Sequence, residues 1–187
     1  MFWYWKKINK INVVFPKITY QDLAKEITKF LNQEITEFLI ASEENYAIKI
    51  PGYLTITYDY YTYDSYDSYV FYIESFVFGA HPDHKIVSFT YDTLTNKIIT
   101  IDTLLKKDPF ILNYLSTNIR KQFANDKRIV DKNMFLEGTK PVSWNYQVFA
   151  LTPRGILVFF PPYQIAPYSE GSFKNLVSYR NNDFLKR

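Results

Sequence analysis

Apolar positions between residues 20 and 41 recur at intervals of three and four, and polar positions separate them. The members of this apolar stripe are Leu23, Ile27, Phe30, Leu31 and Phe38. This period is typical of an amphipathic α-helix. We therefore predict one helix from about residue 20 to about residue 41, with its apolar face covering a sheet.

Two stretches after this helix alternate between apolar and polar side chains, which is the period of a β-strand. The first stretch, 53–79, is interrupted by the Asp64–Ser65 and Asp67–Ser68 pairs, so it predicts a hairpin. The second stretch, 84–105, predicts another hairpin, with Asn96 at a left-handed position of its turn. We expect its returning strand to include Ile101.

The rest of the chain predicts a second main helix and three more strands. Asp108 and Pro109 are suited to a helix start, and an apolar stripe follows them. A further helical turn is expected near Met134. Two strands should meet at the turn Pro153–Gly155, and a last strand should lie near residues 173–180.

These elements predict an α+β fold, in which a mainly antiparallel sheet of hairpins is covered by two main helices. Short turns between consecutive strands favour antiparallel pairing. We predict an N-terminal strand–helix–hairpin subdomain over 1–78 and a C-terminal α+β domain over 79–187, packed as one compact unit.

Composition excludes several classes of function. The 187 residues carry a net charge of only +3, too small for a nucleic-acid-binding surface. Absence of cysteine from the sequence excludes disulfides, Cys-ligated zinc and thiol nucleophiles. No run of residues is apolar enough for a transmembrane helix, and no signal peptide is predicted in the chain as given.

Both histidines fall in one segment, "FGAHPDHK". His81, Asp83 and His84 could supply two or three metal ligands, whereas a closed site needs three or four in convergent geometry. Pro82 also restricts His81 to extended backbone. We therefore interpret the segment as a structural crossing between two strands and expect no metal or other cofactor.

Tyrosine-rich segments are the candidates for binding. Tyr63 and Tyr66 lie in the first hairpin, and Tyr163 and Tyr168 lie in "PPYQIAPYSEG", a stiff loop after a buried strand. The alternative is structural: tyrosines pair across strands, or the loop covers the core. Carboxylates beside the first hairpin, such as Asp59 and Glu74, leave a glycoside-hydrolase pair open.

Several segments taken together resemble a bacterial envelope domain. It is the extracytoplasmic domain shared by RsiV-type anti-sigma factors and PdaC-type peptidoglycan deacetylases. The resemblance rests on Gly79-Ala80-His81, Thr95-Asn96-Lys97, Ile99–Leu104 and Leu151–Gly171. Its most specific part is "YQIAPYSEG". The strand, helix and hairpin before residue 79 resemble the partner domain that usually precedes it.

The resemblance implies export to the bacterial cell envelope, in the periplasm or outside the cytoplasmic membrane. RsiV-type members bind lysozyme as sensors, and PdaC-type members carry the domain beside a separate catalytic domain. No catalytic residues carry over. We therefore predict a non-enzymatic envelope binding or sensor module for lysozyme or a peptidoglycan-type glycan, with His81 as a further binding residue. The alternative is a glycan-modifying hydrolase that uses Asp, Glu and His residues.

Overall fold

A computed structural model describes residues 9–43 and 51–180. Its strands are β1 (Lys10–Val13), β2 (Tyr53–Tyr63), β3 (Tyr66–Phe76), β4 (Asp83–Asp92), β5 (Lys97–Ile99), β6 (Phe149–Thr152), β7 (Gly155–Phe160) and β8 (Phe173–Val177). Its α-helices are α1 (Gln21–Glu43), α2 (Ile101–Lys107), α3 (Ile111–Gln122) and α4 (Lys132–Gly138). Two short 3-10 turns span Ser143–Tyr146 and Tyr168–Glu170.

The strands form two sheets, with the orders β1-β2-β3-β4-β5 and β6-β7-β8. In the first sheet β1 and β2 are parallel, because α1 connects them and a parallel pair needs such a crossover. The second sheet is antiparallel throughout. The predicted α+β class is confirmed, although the strands divide between two sheets.

The described residues group into two compact units. Unit 1 contains the chain up to Asp59 together with Phe71–Lys85, and unit 2 contains Tyr60–Val70 and the chain from Ile86 onward. Strands β2 and β3 therefore contribute residues to both units. The division of the chain at residues 78 and 79 stays a prediction.

Helix α1 provides one side of the core of unit 1. Its predicted period is confirmed, since Leu23, Ile27 and Leu31 are buried. Phe30 packs against Phe71 of β3, with ring centroids 5.8 Å apart. Among the helices of the described ranges, none is sufficiently long and apolar to cross a membrane.

A single hydrophobic cluster forms the core of unit 2. Its members come from Tyr66 in β3, from α2 and α3, from the second sheet, and from the loop after β7. The predicted stripe of the second main helix is buried in this cluster; its members are Leu112, Leu115, Ile119 and Phe123. The expected helical turn near Met134 is α4.

The prediction that Ile101 lies in a strand is wrong. Strand β5 ends at Ile99, and helix α2 begins at Ile101. Thr100 caps this helix: its side chain accepts a hydrogen bond from the Thr103 amide, and the Thr100 amide donates one to the Thr103 side chain. Asp102 in the first turn also favours the helix dipole. This reciprocal cap outweighs the β preference of the isoleucines.

The predicted turn residues adopt left-handed backbone. Asp64 has φ 52° between β2 and β3, and Asn96 has φ 54° between β4 and β5. Both residue types tolerate this conformation because their short polar side chains bond locally. Asn96, for example, accepts a hydrogen bond from the Tyr91 hydroxyl at 3.3 Å.

Two buried tyrosines of unit 2 should make the protein sensitive to alkali. Burial raises the pKa of Tyr146 to about 12, and burial also raises the pKa of Tyr179. An unfolded tyrosine loses its proton near pH 10. Between about pH 10 and pH 12 the unfolded state therefore binds fewer protons than the folded state, and stability falls as the pH rises.

We expect Tyr146 to contribute roughly 2 kcal/mol to this loss by pH 12. Tyr146→Phe removes the titrating hydroxyl, and with it a hydrogen bond to the Thr139 carbonyl. The variant should be less stable than the wild type at pH 9, and the difference should narrow as the pH approaches 12. Urea unfolding at a series of pH values measures this, and a constant difference would contradict it.

Candidate functional site

The histidine segment connects β3 to β4 in unit 1. His81 is exposed, and its Nδ1 lies 2.9 Å from the carbonyl oxygen of Pro82. His84 Nδ1 lies 3.9 Å from Glu74 Oε2. Within residues 9–43 and 51–180, no group of three or more His, Asp or Glu side chains is arranged to hold a metal ion. The use of His81 in binding stays a prediction.

The tyrosines at the tip of the first hairpin pack against other residues of unit 2. Tyr66 is only 1% exposed and belongs to the hydrophobic core. Its hydroxyl accepts a hydrogen bond from Lys107 Nζ at 3.3 Å. Tyr63 stacks on Tyr179 with centroids 5.3 Å apart and an interplanar angle of 23°. Neither arrangement presents a wide aromatic face to a ligand.

Tyr163 and Tyr168 lie together on the loop Pro161–Gly171, which we call the proline-rich loop. Their ring centroids are 5.5 Å apart and their planes are inclined by 35°. Tyr163 is 58% exposed. Between them, Ile165 and Ala166 are buried in the core of unit 2. The loop thus anchors its centre and presents an aromatic pair at its surface.

Gln164 fixes this loop to two neighbouring segments of unit 2. Its Nε2 donates hydrogen bonds to the Gly138 carbonyl at 3.1 Å and to the Asn145 carbonyl at 2.9 Å. Gly138, the last residue of α4, also lies very close to the backbone of Gln164. A Cβ atom there would lie 1.9 Å from the carbonyl oxygen of Gln164. Backbone packs directly on backbone at this contact.

The C-terminal end of α4 is itself held from several directions. The Thr139 carbonyl accepts hydrogen bonds from Ser116 Oγ and the Tyr146 hydroxyl, both at 2.7 Å. Arg120 donates to the Leu136 carbonyl at 2.8 Å and to Thr139 Oγ1 at 2.9 Å. These bonds satisfy carbonyls that a helix end leaves without partners. The end of α4 that contacts the proline-rich loop is therefore held in place by several hydrogen bonds.

Trp144 is a surface residue that sequence reasoning missed. It lies in the 3-10 turn Ser143–Tyr146 and is 72% exposed. Its neighbour Asn145 is fixed by donating Nδ2 hydrogen bonds to the carbonyls of Glu137 and Lys140. The sequence signal that could have identified this residue is a tryptophan in a stretch without clear periodicity, between Ser143 and Asn145. An exposed indole offers a large apolar face and an N–H donor at its edge to a ligand.

The surface formed by the proline-rich loop and the 3-10 turn Ser143–Tyr146 is better suited to recognition by aromatic stacking than to catalysis. Its aromatic groups are the exposed rings of Tyr163 and Trp144 and the half-buried ring of Tyr168, which are apolar on their faces and polar at their edges. At the C-terminal end of α4, Glu137 forms an exposed ion pair with Lys140, which follows the helix, at 2.5 Å. The surface is therefore aromatic and close to neutral.

Comparison with protein families and curated proteins finds similarity over the part of the chain that contains this surface. The family model "Protein of unknown function (DUF3298)" matches residues 102–180. Immunogenic protein MPT64 of Mycobacterium tuberculosis is 28% identical over 175 residues, which cover 89% of this chain and 73% of that protein. The peptidoglycan-N-acetylmuramic acid deacetylase PdaC of Bacillus subtilis is 31% identical over 98 residues, or 52% of this chain and 21% of the deacetylase.

Solved structures support the same fold. A DUF3298 family member from Bacteroides fragilis superposes with a TM-score of 0.55 at 16% identity, covering 83% of this chain and 66% of that one. A DUF3298 family protein from Pseudomonas aeruginosa gives a TM-score of 0.52 at 17% identity, covering 69% of this chain and 58% of that one. The RsiV-type part of the resemblance stays a prediction. The residues that this family model matches, 102–180, include Trp144 and the proline-rich loop.

Proposed function

We propose that this protein is a non-enzymatic binding module of the bacterial cell envelope that recognises peptidoglycan-type glycan. The observation that carries the proposal is the pair of exposed Tyr163 and half-buried Tyr168 on a firmly anchored loop within the residues that the DUF3298 model matches. A rigid loop loses little conformational entropy when a ligand binds. Recognition can then rest on a few aromatic contacts.

The chemistry of the ligand agrees with this surface. A pyranose ring carries hydroxyl groups around its rim and C–H groups on its faces. The C–H faces can bury apolar area against tyrosine rings, while hydroxyls bond to water and to the ring edges. A neutral aromatic surface therefore suits a glycan better than it suits a strongly charged polymer.

The comparisons support a role at the envelope. One relative is a deacetylase of N-acetylmuramic acid in peptidoglycan, a polymer of the bacterial cell wall. The matched part is a small share of that enzyme. We infer that this chain shares an envelope location, and that the common segment contributes binding rather than the deacetylation itself.

Co-sedimentation with purified insoluble peptidoglycan tests the proposed function. The wild-type chain should pellet with peptidoglycan and stay in solution with a cellulose control. Failure to pellet at any accessible concentration would overturn the glycan proposal, and calorimetric binding to lysozyme would then favour a protein ligand. Release of soluble fragments from the pellet would instead show a hydrolase.

A further inference from the structure

We propose that Trp144 forms a second stacking position beside Tyr163 and Tyr168, so that the surface binds an oligosaccharide over more than one sugar ring. The ligand class is a glycan of equatorially linked pyranoses, such as β-1,4-linked N-acetylhexosamines, whose rings are flat and apolar on both faces. This inference rests on the proposed function and assigns the residues that carry it.

One hydrogen bond brings the two aromatic positions close together. Gln164 Nε2 donates to the Asn145 carbonyl at 2.9 Å. Tyr163 directly precedes Gln164, and Trp144 directly precedes Asn145. Each exposed ring therefore belongs to a residue adjacent to one partner of this bond, and the two positions lie on neighbouring segments of unit 2.

Both positions are fixed before any ligand arrives. The loop is held by Gln164 and by buried Ile165, and the 3-10 turn is held by the two hydrogen bonds from Asn145 Nδ2. Buried Tyr146 anchors the other side of that turn through its hydroxyl. Surface rings supported in this way bind without the entropic cost of ordering a loop.

The exposure of the rings favours a saccharide over a protein partner. Trp144 is 72% exposed and Tyr163 is 58% exposed. Exposed polar residues lie close to them in the sequence, among them Glu137, Lys140, Gln147 and Ser169. Protein interfaces generally have a continuous, desolvated apolar centre. Separate rings among polar groups match a ligand that alternates apolar faces with hydroxyl groups.

Isothermal titration calorimetry with N-acetylglucosamine and its β-1,4-linked hexamer tests this inference. The hexamer should bind the wild type at least about tenfold more tightly than the monosaccharide, because it reaches both positions. Trp144→Ala should weaken hexamer binding about tenfold and bring it near the monosaccharide affinity. Tyr163→Ala should weaken it by a similar factor.

Two further variants separate a direct contact from a general effect. Phe110→Ala removes a ring that is 61% exposed elsewhere in unit 2, so hexamer binding should stay within about twofold of wild type. Trp144→Phe keeps a stacking face and should recover most of the affinity lost in the alanine variant. Unchanged thermal unfolding of each variant shows that the fold is retained.

The outcomes distinguish this inference from the proposed function. Wild-type pelleting with peptidoglycan, together with hexamer affinity that Trp144→Ala leaves unchanged, overturns the role of Trp144 alone. Equal losses in the Trp144→Ala and Phe110→Ala variants also overturn it. A wild-type chain that binds neither peptidoglycan nor the hexamer overturns both proposals.

Discussion

Gly138→Ala should lower the free energy of unfolding by about 3 kcal/mol or more, the upper range for overpacking a tight contact. The new methyl group would lie 1.9 Å from the Gln164 carbonyl oxygen and 3.0 Å from Ile165 Cγ2. The nearest atoms are backbone, so no side-chain rotation can relieve the clash. Either α4 or the proline-rich loop must move.

Urea unfolding followed by circular dichroism measures this loss, and peptidoglycan pelleting should fall in parallel as the loop is displaced. Gly171→Ala is the matched control. Gly171 has φ 71°, and an added Cβ there would have no atom within 4 Å. Its cost should be only the left-handed backbone penalty of about 1–2 kcal/mol. A smaller loss for Gly138→Ala than for Gly171→Ala would show that the close packing is absent in solution.

Lys85→Met should destabilise unit 1 by about 2 kcal/mol. Lys85 Nζ donates a hydrogen bond to Glu34 Oε1 and lies over the Phe30 ring, 5.8 Å from its centroid. The Glu34 side chain is only 9% exposed, whereas the Lys85 side chain is 52% exposed. Removing the lysine leaves a buried carboxylate without its cation, which costs more than the pair itself contributes.

A double-mutant cycle identifies the source of this loss. Glu34→Met in the Lys85→Met background removes the stranded carboxylate, so the double variant should recover at least half of the lost stability. Chemical denaturation of the four proteins gives the coupling free energy. Additive losses, with no recovery in the double variant, would place the effect in packing around Phe30 instead of in the ion pair.

Local patterns predicted most of the secondary structure because their causes are local. The period of α1 and the turn residues Asp64 and Asn96 each express a preference of a few neighbouring residues. The strand prediction for the segment around Ile101 was wrong because it, too, considered only local preferences. Its isoleucines favour a strand, but the Thr100–Thr103 cap, a weaker signal in the sequence, begins a helix there.

Only part of the candidate surface could be predicted from the sequence. Tyr163 and Tyr168 stand out because prolines and tyrosines share one loop, and the structure brings their rings together. Trp144 lies near this loop because its neighbour Asn145 accepts a hydrogen bond at its carbonyl from Gln164, 19 residues away in the sequence. Such long-range contacts leave no periodic signal. Alternation along β3 predicts a strand, but it likewise cannot show that the Tyr66 side chain is buried in the core of unit 2.

The first hairpin contributes residues to both units, and this affects the order in which the units can fold during synthesis and the choice of fragments for expression. Tyr66 reaches the core of unit 2 from the insertion Tyr60–Val70, which interrupts unit 1. On a ribosome, unit 1 can be complete once Lys85 has emerged, while the hairpin tip must wait for partners such as Tyr146. A recombinant fragment limited to residues 102–180 would lack that ring. The shortest fragment that keeps unit 2 whole begins at Tyr60.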